Sequence, residues 1–344
     1  MRRSAIFIII VAILAASALS QTVTLIDRSS ESRIDVMVDG RLFTSYRWGG
    51  DFYRPALYPI MSPGGHFITR GYPFETRDGD TIDHPHQVGC WLAYANVDGI
   101  DFWNSSKFRT AKEMEKMGRV VHKRLVSKRT SRHGAVLVTE ADWVKPTGEI
   151  VLTEKTRYRF RAHGAGRRID RETTLTAASG DVIFGDNKDG FFGLHLASEL
   201  EQADQTDVKI TSAKGVISTG RPPELLSGKF WNSERRHAEK EIWGTRGRWA
   251  AVSGQIGTES VTVAILDHPL NPLSPTRMMV RGYGLFAVNP FGQKQFDASL
   301  EDRKFVLAKG KSLCFRFRVL LVSGEKISID DEYRAFAREA TVAK

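Results

Sequence analysis

Apolar and polar residues alternate with a period of two along most of this chain, and that pattern restricts the fold more than any other feature. Residues 22–27, 33–39 and 312–319 alternate cleanly, which places successive side chains on opposite faces of an extended backbone. Residues 134–144, 149–162 and 168–178 are longer and rich in Thr, Val, Arg and aromatics. They read as strands with one buried face. Turn formers separate the runs, among them Asp39-Gly40, Pro63-Gly64-Gly65, Asp78-Gly79-Asp80, Asp98-Gly99 and Asp189-Gly190. With about fifteen or more strands and few helices, the expected fold is all-β: a two-sheet antiparallel β-supersandwich closed by a C-terminal helix. That helix should start at Ser328, where Asp330 and Asp331 suit a capped N-terminus, and bury Tyr333, Phe336 and Ala337. Shorter helices are expected over 111–118 and 234–243.

The first twenty residues read differently. Arg2 and Arg3 precede an apolar run over 5–19, and Ala18 and Ser20 stand at −3 and −1 before Gln21. These are the parts of a secretory signal peptide over 1–20, which implies a periplasmic or secreted protein. The apolar run is shorter than the roughly 20 residues that cross a bilayer, and no longer one follows, so no membrane span is expected after cleavage. Neither repeats nor low-complexity linkers interrupt 21–344, which reads as one domain. The net charge of +10 is scattered along the chain. Without a basic stripe carrying stacking aromatics, nucleic acid is not an expected partner; an anionic envelope or an acidic substrate fits better. Cys90 and Cys314 are the only cysteines, and a disulfide and two buried thiols are equally compatible with their strand-like surroundings.

The chemistry-bearing residues gather in a few polar clusters. Asp83-His84-Pro85-His86 projects two imidazoles from one face of an extended backbone, and Pro85 places them at a sheet edge or a cavity mouth. Such a pair suits a metal site, proton transfer or a polar ligand pocket. Other clusters run from Asn96 to Asn104, from Asp186 to Lys188 with His195 beyond, from Trp243 to Arg246, from Asp267 to Asn271, and from Arg281 to Asn289. Several directly follow apolar strands, where a β scaffold presents functional groups. The leading expectation is a carbohydrate-active enzyme of epimerase, lyase or glycosidase type, without a cofactor. His84, His86, His195 and His268 would carry protons, and Asp83, Asp186 and Asp267 would act as base or orienter. Asn104, Lys188, Arg246, Asn271, Arg281 and Asn289 would hold hydroxyls or a uronate, while Trp243 stacks on the sugar. His86, Lys188, Arg246 and His268 should then line one cavity. Two alternatives remain open: a hydrolase or oxygenase with Zn or Fe on His84, His86 and His268, and a non-catalytic glycan-binding module.

These segments resemble a family of bacterial exported proteins labelled PmoA-type. The matching pieces are Asp83 to His86 with Gly89-Cys90-Trp91, Asn96 to Asn104, Phe184 to Lys188 with Gly190 to Gly193, Trp243 to Arg246, Asp267 to Asn271, and Tyr283 to Gly292. The label is not read literally, because the methane monooxygenase subunit of that name spans the membrane several times. The chain departs from the family's pattern at Gln87 and Val88, where members often carry His-Arg, and at His195, where they often carry Arg. More loosely, the glycine turn at Lys309-Gly310-Lys311-Ser312 before a long strand is similar to the end of galactose-mutarotase-like supersandwich domains. That similarity implies sugar chemistry with a histidine acid and a carboxylate base, without metal.

Overall fold

Strands form where the alternation predicts them. The computed structural model describes residues 21–324 and 327–339, so the expected signal peptide over 1–20 lies outside the described residues. Two eight-stranded antiparallel sheets dominate. In spatial order the first contains Val23–Arg28, Arg33–Val38, Arg41–Gly49, Phe52–Ile60, Cys90–Tyr94, Gly190–His195, Leu285–Asn289 and Arg277–Val280. The second contains Lys229–Asn232, Trp249–Ile256, Glu259–Asp267, Ser312–Ser323, Gly166–Ala177, Ile150–His163, Gly134–Val144 and Arg119–Ser131.

The sheets meet face to face through the inward half of each alternating strand. In Ile150–His163 the buried members include Leu152, Tyr158 and Phe160, while Lys155, Arg157 and Arg159 are more exposed. Phe160 meets Phe43 of the first sheet edge-on at 6.5 Å, and Phe317 stacks on Phe192 at 4.8 Å. One buried cluster draws on both sheets. The helix Ile329–Arg338 covers the outer face of the second sheet, setting Ile329, Tyr333 and Phe336 on Trp249, Leu266, Leu320 and Val322. Each of those three side chains contributes about 1.5–3 kcal/mol by leaving water.

The helices are shorter than expected. Residues 111–118 yield only Ala111–Met114, started by a capping box between Thr110 and Glu113. Over 234–243 the helix is Ala238–Ile242, because Arg235 and Ala238 take positive φ and delay its start. Ser328 caps the last helix by accepting from the Asp331 N–H. Cys90 and Cys314 are free thiols on strands of different sheets, and burial pushes the Cys90 thiol up to about 12.

Candidate functional site

Four neighbouring strands of the first sheet bring distant segments to one end. Cys90–Tyr94 and Leu285–Asn289 begin there, and Gly190–His195 and Arg277–Val280 finish there, because each pair runs antiparallel. The segment ending His86-Gln87-Val88-Gly89, the strand-terminal His195 and the turn carrying Tyr283 therefore share a rim. Gly89 makes the approach possible: it has φ +58°, and a Cβ there would lie 2.3 Å from the Leu57 carbonyl oxygen. A small sheet of Ile217–Thr219, Lys209–Thr211 and Asp80–Thr81 ties the segment before His84 to the chain after His195.

At this rim Asp83 and His84 form the central pair. His84 Nδ1 lies 2.8 Å from Asp83 Oδ2, and both side chains are partly open to solvent. Arg70 grips the pair from below: its Nη1 donates to Asp83 Oδ1 at 2.7 Å and to Thr81 Oγ1, and its Nη2 to the carbonyls of Asp83 and His84. The Arg70 side chain is fully buried. The His84 ring stacks on Tyr283 at 4.5 Å and 5°, and its backbone has φ +42°. His86 stands 5.9 Å from His84 between ring centres, with its carbonyl held by buried Arg54. His195 pairs through Nδ1 with Gln87 Oε1 at 2.8 Å.

Charge is distributed unevenly over these groups. Burial opposes ionisation of Asp83, but His84 and Arg70 outweigh it and hold the carboxyl well below its usual range. Burial pushes the imidazoles of His86 and His195 well below the ordinary histidine value, reinforced by Arg54 at His86 and Arg70 at His195. Behind them Glu201 is buried against Arg221, and burial raises its carboxyl to about 7. Among the described residues, His84 Nδ1, His86 Nδ1, His195 Nε2, Arg70 Nε and Glu201 Oε1 are buried without a hydrogen-bond partner, the approach of His84 Nδ1 to Asp83 being a close charge contact and not an aligned hydrogen bond. Beside Pro85 and His86 lies a cleft lined by Phe52, Tyr53, Phe74, Arg54 and Ser106.

Of the residues expected to act together, Asp83, His84, His86 and His195 meet here, and Arg281 stands two positions from Tyr283. The others do not join them, so the single cavity expected for His86, Lys188, Arg246 and His268 is not formed. Asp186, Lys188 and Asn289 sit at the opposite end of the same strands. There Asp186 accepts the N–H groups of Gln293 and Lys294, Lys188 pairs with Asp189, and Asn289 caps the turn at Phe291. Asp267 and Asn271 belong to the second sheet, where Asp267 accepts from Asn271, Ser274 and Thr276 and burial raises its carboxyl to about 6. His268 packs edge-on against Phe336 of the last helix at 5.0 Å. The alternative metal trio of His84, His86 and His268 is thus divided between two sheets. Among the described residues no group of three or more His, Cys, Asp or Glu is placed to hold a metal ion. Asn104 bonds Asp101 within its own turn, and Arg246 donates to the carbonyls of Leu273 and Pro275. The Trp243 face carries the Arg281 guanidinium at 3.5 Å.

Sequence reasoning missed Arg70, Arg54 and Glu201, which carry no local motif. Tyr283 had a signal, an aromatic residue between Gly282 and Gly284 directly after Arg281. Among the described residues no helix is long and apolar enough to cross a membrane.

In architecture the chain is similar to the GH36 alpha-galactosidase AgaB from Geobacillus stearothermophilus, with 11% identity over 88% of this chain and 41% of that one, at a TM-score of 0.40. The alpha-galactosidase from Lactobacillus brevis is similar at 11% identity over 90% and 40% of the two chains, with a TM-score of 0.37. The Slr1438 protein from Synechocystis sp. PCC 6803 shows 10% identity over 87% and 95%, with a TM-score of 0.35. The chain spans about two fifths of the length of the two galactosidases. No curated protein matches it in sequence. Residues 33–334 match the model of DUF6807, and the chain belongs to that family of unknown function.

Proposed function

We propose that this protein is an exported carbohydrate-active enzyme in which His84 moves a proton to or from a saccharide at the loop end of the first sheet. The observation that carries this reading is the Asp83–His84 pair, half open to solvent above a fully buried Arg70. The charge of the Asp83 carboxylate 2.8 Å from Nδ1 favours the tautomer with its proton on Nδ1, which leaves Nε2 to accept a proton from a sugar hydroxyl or ring carbon. The imidazolium formed is balanced by Asp83, which Arg70 and His84 keep anionic. The same imidazolium then returns its proton to the product or to water.

Rigidity favours the role. A non-glycine residue at φ +42° costs about 1–2 kcal/mol. The Arg70 bonds to two successive carbonyls and the Tyr283 ring hold His84 in that conformation. Burial keeps His86 and His195 uncharged, so they act as neutral hydrogen-bonding walls rather than as acids. The small cleft beside His86 joins aromatic rings to a buried, unpartnered Ser106 hydroxyl, a pairing of apolar planes and a polar group able to meet the edge of a sugar bound at the rim.

Turnover is the test. The mature protein is incubated with a panel of neutral and acidic glycans, and products are followed by chromatography and NMR for cleavage, elimination or epimerisation. Sustained turnover of at least one glycan class is expected. Binding without turnover across the panel would overturn the enzymatic reading and leave a glycan-binding module.

A further inference from the structure

Along the free edge of the first sheet, the segment after Trp243 lies against the strand Arg277–Val280. The Gly244 N–H donates to the Met278 carbonyl and the Met278 N–H to that of Thr245, both at 2.8 Å. A backbone bridge then sets Arg246 directly opposite Arg277. Like charges facing each other across strands destabilise a sheet unless something compensates them. Protein carboxylates do so only at a distance, Asp267 acting on Arg246 and Asp297 on Arg277: Arg246 donates to the Leu273 and Pro275 carbonyls and Arg277 to that of Gly244, and neither forms an ion pair among the described residues. Arg277 is only 9% exposed, and its Nε has no hydrogen-bond partner there.

The surroundings make a shallow, open groove. Arg236, Trp243 and Phe296 line it with the two arginines, and the aromatic rings stand 5.1 Å apart. Its acids, Glu234 and Asp297, accept hydrogen bonds from Ser233 and Ser299, and Asp297 also feels the Arg277 charge without contacting it as an ion pair. Burial, together with the like charges of Arg277 and Arg303, lowers the Arg246 guanidinium from its ordinary value. Arg281, stacked on Trp243, connects this groove along the chain to Tyr283 beneath His84.

The geometry points to this groove as the seat of an oxyanion on an extended saccharide substrate, a uronate carboxylate or a sulfate or phosphate ester, held between Arg246 and Arg277 at the end of the strands away from the Asp83–His84 rim. The inference rests on the saccharide reading of the Asp83–His84 site and adds that a sugar unit beyond the one at His84 is acidic. A guanidinium fork matches planar and tetrahedral oxyanions alike, so the substrate class is set by charge.

Calorimetric titration of the mature protein with matched acidic and neutral oligosaccharides tests this: oligogalacturonate against a neutral galacto-oligosaccharide, and sulfated or phosphorylated sugars against their unmodified forms. At least one acidic ligand should bind about tenfold or more tightly than its neutral partner, and added salt should narrow the gap. The uronate and ester arms identify the oxyanion. R246Q should remove most of that preference and R246K should restore part of it. Melting curves verify that both variants remain folded, and R236Q provides a second, exposed position. Equal binding of acidic and neutral sugars, absence of binding to either, or a preference unchanged in folded R246Q would overturn the inference. Arg246-dependent binding of an acidic sugar without turnover would uphold it while contradicting the enzymatic reading.

Discussion

At the scale of single residues, two imidazoles of this site are kept uncharged by their surroundings. His86 and His195 are buried and face guanidinium charge, so both take up a proton far more readily in the unfolded chain than in the folded one. Below about pH 6.5 the unfolded state therefore binds more protons, and this part of the stability is complete above that pH and lost as pH falls. Each histidine adds a slope of at most about 1.4 kcal/mol per pH unit. Denaturant unfolding at pH 7, 6 and 5 should show the loss, and His195→Gln should make the slope shallower; an unchanged slope would mean that His195 is charged in the folded protein. His84, Asp83 and His86 were legible in the sequence because they stand together in one motif. Their supports were not. The bond between His195 and Gln87 spans 108 positions, and Arg70 reaches Asp83 and His84 only after the chain has turned back on itself.

At the scale of elements, two local features hold the site and the sheet in place. Gly89 lets the chain pass the Leu57 carbonyl at positive φ, whereas Gly79, also at positive φ, has open space around it. Gly89→Ala should cost on the order of 3 kcal/mol or more, and Gly79→Ala about 1 kcal/mol, from backbone strain alone. Equal melting temperatures for the two variants would contradict this account of how the rim is built. The last helix acts by burial: Phe336→Ala should destabilise the fold by roughly 3 kcal/mol, measured by denaturant unfolding, because it opens a void over Leu320 and His268. The helix itself was readable from its cap and its apolar stripe. The two shorter ones were overstated, since a polar, periodic stretch does not reveal the positive φ at Arg235 and Ala238 that cuts the second one short.

At the scale of the whole molecule, the alternating pattern specified the two antiparallel sheets well, because each inward face must find an apolar partner. The same pattern does not say which end of a strand a flanking cluster occupies. Asp186 and Lys188 precede the strand Gly190–His195 while His195 closes it. Six residues at about 3.3 Å each separate those groups by roughly 20 Å. His268 follows a strand of the other sheet, so a shared pocket was excluded by topology rather than by residue type. What remains at one rim is compact: an acid–imidazole pair, its buried arginine, a stacking tyrosine and two neutral histidines. The central claim is that His84 Nε2 carries the proton and Asp83 orients it. The most direct measurement is kcat on the glycan that the wild-type protein turns over, for His84→Gln and Asp83→Asn, with melting temperatures recorded alongside. Both variants should melt close to the wild type while kcat falls by about a hundredfold or more for His84→Gln and by a smaller factor for Asp83→Asn. A folded His84→Gln variant that retains wild-type kcat would contradict the claim.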